Sequence, residues 1–259
     1  MTKFEISIIS DAVCPWCYVG YRNLQSAITQ HLAKHPGDTF EISWHPFQLN
    51  PNAPRGVSVD KVKGYESKLG APQAQVVFER LKSAGQKAGI KFSFRGRTGN
   101  TLDSHRLIEF ARARQASSKG AGACVPSIRS LQTRVVEELF AAYFEHEEDI
   151  TSHDVITEAA GRAGLYEKQV RTFLAGDELA VQVSRESESN RREVSGVPHF
   201  TINDLFTVEG AQEPAAFTAL FDRYKKKFEG GGGFEASYSP SKEEPEAGEL
   251  QQQANQESH

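Results

Sequence analysis

"SDAVCPWCYVGYRNL", residues 10–24, carries two of the chain's three cysteines, Cys14 and Cys17, with Pro15 and Trp16 between them. Two thiols at this spacing can be half of a zinc site, a redox couple or an accident of composition. The neighbouring segments narrow the choice. Upstream, residues 3–9 alternate, with Phe4, Ile6 and Ile8 on one face, and predict a strand. Downstream, from about Pro15 to His35, Leu24, Ala27, Ile28 and Leu32 recur at helical spacing. "TFEISWHPF", 39–47, alternates again through Phe40, Ile42 and Trp44. Strand, helix and strand over about 45 residues predict a βαβ unit with parallel strands.

The cysteines therefore fall where a strand passes into a helix. Unpaired N–H groups and the positive dipole end there stabilise an anion, and the thiolate is the reactive form of cysteine. Pro15 suits the first turn, where its missing N–H is not needed. Cys17, one turn on, is near enough to attack a mixed disulfide formed at Cys14. The expectation is a nucleophile, Cys14, at an exposed helix tip and a resolving thiol, Cys17, further in. A structural zinc site needs four ligands and one CxxC supplies two. Cys124 would have to join with one of eight scattered histidines, and His31 and His35, at i and i+4, lie several turns from the cysteines. Two ordinary buried cysteines remain as an alternative, against which stand the strand-to-helix junction and the intervening Pro and Trp. Trp16 is expected to be half exposed as an apolar lip for substrate, or else packed on its neighbours. Asp11 is expected to help the chain enter the helix, with a charge that disfavours a nearby thiolate.

Composition bounds the setting. At 259 residues with 38% hydrophobic and 25% charged residues the chain is an ordinary globular protein, long enough for one large domain or a domain with an insertion. No apolar run is long enough to span a bilayer, and the first residues lack a basic-then-apolar signal, so a cytoplasmic location is expected. Three cysteines make no disulfide framework. The net charge of −4 is uneven: residues 229–259 hold seven Glu and one Lys, which leaves the body at +2. A near-neutral body without a basic stripe argues against nucleic acid as a partner.

From about 58 to 192 the pattern is helical. Asp103 is expected to precede one helix and Thr151 to cap another, and Leu131, Val135, Leu139 and Tyr143 form a stripe widened by Val136, Phe140 and Phe144. Residues 116–127 read as an exposed loop containing Cys124, an idle cysteine or one open to glutathionylation. "VPHFTI" and "LFTVEG" flank Asn203 and Asp204, a two-residue hairpin turn. Pro214 opens a last helix with Phe217, Leu220, Phe221, Tyr224 and Phe228 on one face. The order is β-α-β, a block of helices, then β-β-α, with four strands in a small sheet covered on its faces. The divisions are residues 1–57 and 193–228 for the two halves of the sheet domain, 58–192 for the helical insertion, and 229–259 for an acidic tail too poor in hydrophobics to pack.

"CPWC" after the first strand, with "GVPHF" at 196–200 before a late one, resembles the thioredoxin fold. More narrowly, "SDAVCPWCYVG", "ISWHPFQLNPNAP", "NTLDSHRLIEFA", "LFAAYFEHEEDI", "GVPHFTIND" and "VEGAQ" run in order as in the FrnE-like branch of the DsbA family of thiol–disulfide oxidoreductases. The resemblance implies an α/β thioredoxin-like fold interrupted by an all-helical insertion. It implies Cys14 as nucleophile, Cys17 as resolving thiol, and Pro198 as a cis-proline facing them. Val197 would then present backbone groups to an extended substrate. Asn100 and His105 match a stretch over the active site and either shape the substrate cleft or serve as a helix cap and a satisfied interior histidine. His199 either tunes Cys14 or is a surface strand histidine.

The expected function is dithiol exchange with protein or small-molecule thiols and disulfides, without a metal or bound cofactor and with glutathione as a candidate co-substrate. The alternatives are a glutathione-dependent small-molecule isomerase or transferase, for which Cys17 would be superfluous, and a peptide-holding interaction module. A monomer and a homodimer are both compatible with the sequence.

Overall fold

Alternation in the first strand becomes one-sided burial. In the computed structural model, which describes residues 1–118 and 129–229, β1 (Lys3–Ser10) buries Phe4, Ile6 and Ile8 and leaves Lys3 and Glu5 in solvent. After α1 (Pro15–Lys34), β2 (Thr39–Pro46) pairs with β1 in parallel, Phe4 beside Phe40 and Ile8 beside Trp44. β5 (His199–Ile202) pairs antiparallel with the other edge of β1, and β6 (Phe206–Glu209) with β5, giving the order β2-β1-β5-β6. The hairpin turns through Asn203 and Asp204, both at positive φ, which these side chains tolerate better than most. Leu205 adds a third residue to a loop expected to have two.

α9 (Pro214–Glu229) packs with α1 over the apolar face of the sheet. Phe4 stacks on Phe40 at 4.8 Å, and Phe221 meets both rings at 5.0 Å. Phe217 and Phe221 are buried, whereas Phe228 is exposed. The opposite face is not covered as expected: Lys3 pairs with Glu5 and Glu41 in the open, and Ser7 meets Ser43. Strict alternation is the reason, since it makes a sheet with one wet face.

Between β2 and β5 lie α2 (Lys61–Leu69), α3 (Ala71–Ala88), α4 (Leu102–Ser118), α5 (Leu131–Phe144), α6 (His153–Arg162), α7 (Glu167–Leu174) and α8 (Ala180–Glu193). This segment is not wholly helical: β3 (Ser58–Asp60) and β4 (Arg97–Gly99) form an antiparallel ribbon whose three-residue strands are too short to show alternation. The α5 stripe is buried from Val135 to Phe144, with Leu131 only partly covered, and Ser130 caps the helix by accepting the Thr133 N–H. Two expected caps move. Asp103 lies in the first turn of α4, where Arg106 and Arg55 each donate to it at 2.7 Å, and α6 starts after Ser152 while Thr151 bonds Asp149.

The loop expected at 116–127 begins as the last residues of α4. The rest of it, with Cys124, and the tail beyond 229 lie outside the described residues. The helix that carries the cysteines is tied to the insertion by side chains. Tyr18 donates to Glu145 at 2.7 Å, and Tyr21 and Gln25 both donate to Glu137 at 2.7 Å.

Candidate thiol site at the start of α1

The turn after β1 is built by backbone bonds. The Asp11 carbonyl accepts the Cys14 N–H at 3.0 Å, and Cys14 then takes the N-cap position in extended conformation. Its sulfur accepts the Cys17 N–H at 3.4 Å, filling one of the open donors of the first turn. Pro15 occupies that turn, which contains no acidic residue to oppose an anion. The Cys14 thiol donates to the Val197 carbonyl at 3.6 Å, and the Val197–Pro198 peptide bond is cis. One turn along α1, Gly20 lets the two segments touch: a Cβ there would lie 3.1 Å from both Pro198 and Phe200.

Both cysteines are free thiols and both are buried, at 0% and 1% exposure. An exposed Cys14 was the expectation; its sulfur instead lies buried against the Val197 carbonyl. Tyr65 of α2 comes within electrostatic reach of the Cys14 sulfur, and His105 of α4 reaches in beneath the turn. Burial, and to a lesser degree Cys14, pushes the Tyr65 hydroxyl above the usual phenol range. Trp16 is half-buried and packs against the core. Burial and the hydrogen bond with Cys14 push the Cys17 thiol well above the ordinary range, against weaker opposing bonds from Ser10 and the Asp11 backbone.

Asp11 does more than start the helix. Its buried carboxylate accepts the Leu49 N–H at 2.8 Å and His105 Nε2 at 3.1 Å, and that nitrogen also lies 3.2 Å from the Phe47 carbonyl. Two acceptors facing Nε2 assign it the ring proton. Asp11 thereby joins the end of β1 to the segment after β2 and to α4. Asn100 accepts the Leu102 N–H at 2.8 Å and donates to the Ala53 carbonyl, so it caps α4 and fastens a loop. Asn100 and His105 thus take the helix-cap and interior-histidine readings, and each is nearly fully buried. His199 opens β5, half-buried, and burial lowers its pKa against the pull of Glu209.

A narrow cleft beside Ser10, His45, His105 and Glu186 offers about 10 Å³ to the centre of a water molecule, room for one. At its rim His45 and Glu186 pair at 2.8 Å. Tyr65, Ser10 and the Asp11–His105 bond were not visible in the sequence. Tyr65 sits in a polar helix with no motif, and the Asp11 partner lies 94 residues away.

The family model for the DSBA-like thioredoxin domain matches residues 5–222, and the chain belongs to that family. Protein YwbO of Bacillus subtilis (strain 168) is 25% identical over 227 residues, covering 86% of this chain and 98% of that one. Among solved structures, a probable DsbA oxidoreductase from Streptomyces coelicolor superposes with a TM-score of 0.71 at 24% identity, over 91% of this chain and 94% of that one. A 2-hydroxychromene-2-carboxylate isomerase gives 0.59 at 12% identity, over 88% and 100%. The cytosolic disulfide reductase DsbM from Pseudomonas aeruginosa, solved with GSH, gives 0.53 at 14%, over 86% and 99%. At these identities the solved structures are shared folds. Among the described residues no helix is long and apolar enough to cross a membrane.

Proposed function

We propose that this chain is a thiol–disulfide oxidoreductase in which Cys14 is the nucleophile and Cys17 the resolving thiol. The observation that carries the reading is the asymmetry of the pair. The Cys14 sulfur caps α1 and accepts the Cys17 N–H, while burial holds the Cys17 thiol protonated. The Cys14 thiolate attacks one sulfur of a substrate disulfide, forming a mixed disulfide and expelling the other sulfur as a thiolate that takes a proton. Cys17 then loses its proton and attacks the Cys14 sulfur, which releases the second substrate thiol and leaves Cys14 and Cys17 joined. The substrate is reduced by two electrons and the pair oxidised by two; run backwards, the same steps form a disulfide.

Val197 offers the carbonyl that now accepts the Cys14 thiol, a backbone group that an extended substrate can take over. Trp16 supplies an apolar lip, Pro198 lies beside the pair, and Asn100 and His105 position the turn from behind. Because Cys14 is buried with its thiol on the Val197 carbonyl, substrate has to displace that contact to reach the sulfur. Glutathione is the proposed small-thiol partner that returns the pair to its dithiol form, and a cytoplasmic setting fits a chain with few cysteines.

The test is a pair of variants. Cys17→Ser should accumulate a mixed disulfide at Cys14, seen as an adduct by non-reducing electrophoresis and mass spectrometry, and Cys14→Ser should lose insulin-reduction activity. Full activity in Cys14→Ser would overturn the mechanism. Turnover of a small substrate undiminished in Cys17→Ser would favour isomerase chemistry.

A further inference from the structure

We propose that the far end of α1, together with α9, binds a divalent transition-metal ion of the zinc class through His31, His35 and Asp222. One ligand atom from each of these residues falls within 4.8 Å of the others. His31 and His35 stand at i and i+4 on the last turn of α1, their ring centroids 4.7 Å apart, and Asp222 comes across from α9 to within 3.9 Å of His31 Nδ1. Two imidazoles and a carboxylate suit zinc and its neighbours, leaving the fourth position of a tetrahedron to water or a small ligand.

The surroundings of His31 prepare it as a ligand. Its Nε2 lies 2.9 Å from Asp38, a buried carboxylate that also accepts the Thr2 N–H at 2.7 Å and Lys225 at 2.7 Å. A carboxylate on Nε2 fixes the proton there and turns the Nδ1 lone pair toward His35 and Asp222. Metal-binding histidines commonly have this second partner. Phe4, Phe40 and Phe221 pack edge-on to the His31 ring at 5.3–5.6 Å and limit its rotation. His35 is the C-cap of α1, so the proposed ion lies at the negative end of the helix dipole, where a cation is favoured.

Tetrahedral zinc at about 2.0–2.2 Å from each ligand needs ligand atoms about 3.3–3.5 Å apart. His31 is held, so the required closing of about 1 Å falls to His35 and Asp222, both half-buried at the rim. The site is about 25 Å along the helix from Cys14, at 1.5 Å per residue, so it serves as a clasp between α1 and α9 and is independent of the thiol chemistry.

Zn²⁺ binding by a variant without thiols, Cys14→Ser/Cys17→Ser/Cys124→Ser, measured by competition with a chromogenic chelator, tests this. One equivalent is expected, with affinity lowered at least tenfold by either His35→Ala or Asp222→Asn. The rise in thermal midpoint that Zn²⁺ produces should vanish in both. If the thiol-free variant does not fold, the parent chain should bind one equivalent more than its His35→Ala form. Absence of binding at 100-fold excess over about 1 μM, or binding by either ligand variant as tight as that of the thiol-free parent, would overturn the proposal.

Discussion

Lys61 opens α2 with 1% of its surface exposed, and its ammonium donates to the Tyr143 carbonyl at 2.6 Å and lies 3.7 Å from the Tyr143 ring centroid. Burial pushes its pKa from 10.5 down to about 8, with Glu147 pulling weakly the other way. At 1.36 kcal/mol per tenfold change in acidity this displacement is worth about 3 kcal/mol. Below pH 8 both the folded and the unfolded chain hold the proton, and the folded form bears the whole cost. Between pH 8 and 10.5 the folded chain has released a proton that the unfolded chain keeps, so this group makes stability climb with pH, by up to about 1.4 kcal/mol per pH unit. Lys61→Met retains the aliphatic length and removes the charge. It also leaves the Tyr143 carbonyl, near the end of α5, without this donor, a loss of about 1–2 kcal/mol. At pH 7 the two effects nearly offset, and the variant should be equal to the parent or about 1–2 kcal/mol more stable. By pH 9.5 the advantage should have fallen by about 2 kcal/mol, leaving the variant no more stable than the parent. Urea unfolding of both proteins at pH 7.0, 8.5 and 9.5, followed by tryptophan fluorescence, measures the difference directly, since other titrating groups are common to both. A difference constant to within about 0.5 kcal/mol across that range would refute the burial argument.

Four further outcomes follow from the site. Cys17, its thiol held protonated by burial, should be alkylated by iodoacetamide more slowly than Cys14 throughout pH 6–9 in the folded chain, as read by peptide mass spectrometry; equal rates would contradict its environment. Its raised pKa also adds stability that is present below the unfolded thiol's pKa of about 8.5 and lost as pH rises toward the folded value, a loss absent from Cys17→Ser. His105→Ala removes a donor from buried Asp11 and should lower stability by about 1–3 kcal/mol in urea titrations; an unchanged midpoint would contradict the role given to this bond. Gly20→Ala gains about 1 kcal/mol of helix propensity but meets Pro198 and Phe200 at 3.1 Å, so a net loss of about 1 kcal/mol and slower disulfide exchange are expected, and a stabilised, fully active variant would refute the close approach.

The parts of this molecule that repeat along the chain were legible. Phe4, Ile6 and Ile8 alternate and are buried, and the α5 stripe lies inside from Val135 to Phe144. The start of α1 was legible too: strand, N-cap and Pro15 follow one another closely, so it could be located to the residue. Contacts between distant segments were not legible. The Cys14–Val197 contact spans 183 residues and the Asp11–His105 bond 94, and no periodicity marks such partners. Caps moved by one or two residues at Asp103 and Thr151 because several side chains in each stretch can cap, and tertiary ion pairs such as Arg55–Asp103 decide among them. The wet face of the sheet was written in the alternation, yet counting helices suggested that both faces were covered.

The strand order has a consequence for synthesis. β1 is an inner strand, flanked on one side by a partner made almost at once and on the other by β5, whose Ile202 faces Ile6. At about 5–20 residues per second, the roughly 150 residues between β2 and β5 take some 8–30 s to translate. Through that interval the nascent chain presents an open apolar edge and both cysteines without the Val197 carbonyl, which closes a span of 183 residues when it reaches Cys14. High contact order of this kind favours slow folding and exposure to stray strand pairing. A chain released before β5 should therefore be a client for chaperones and prone to aggregate.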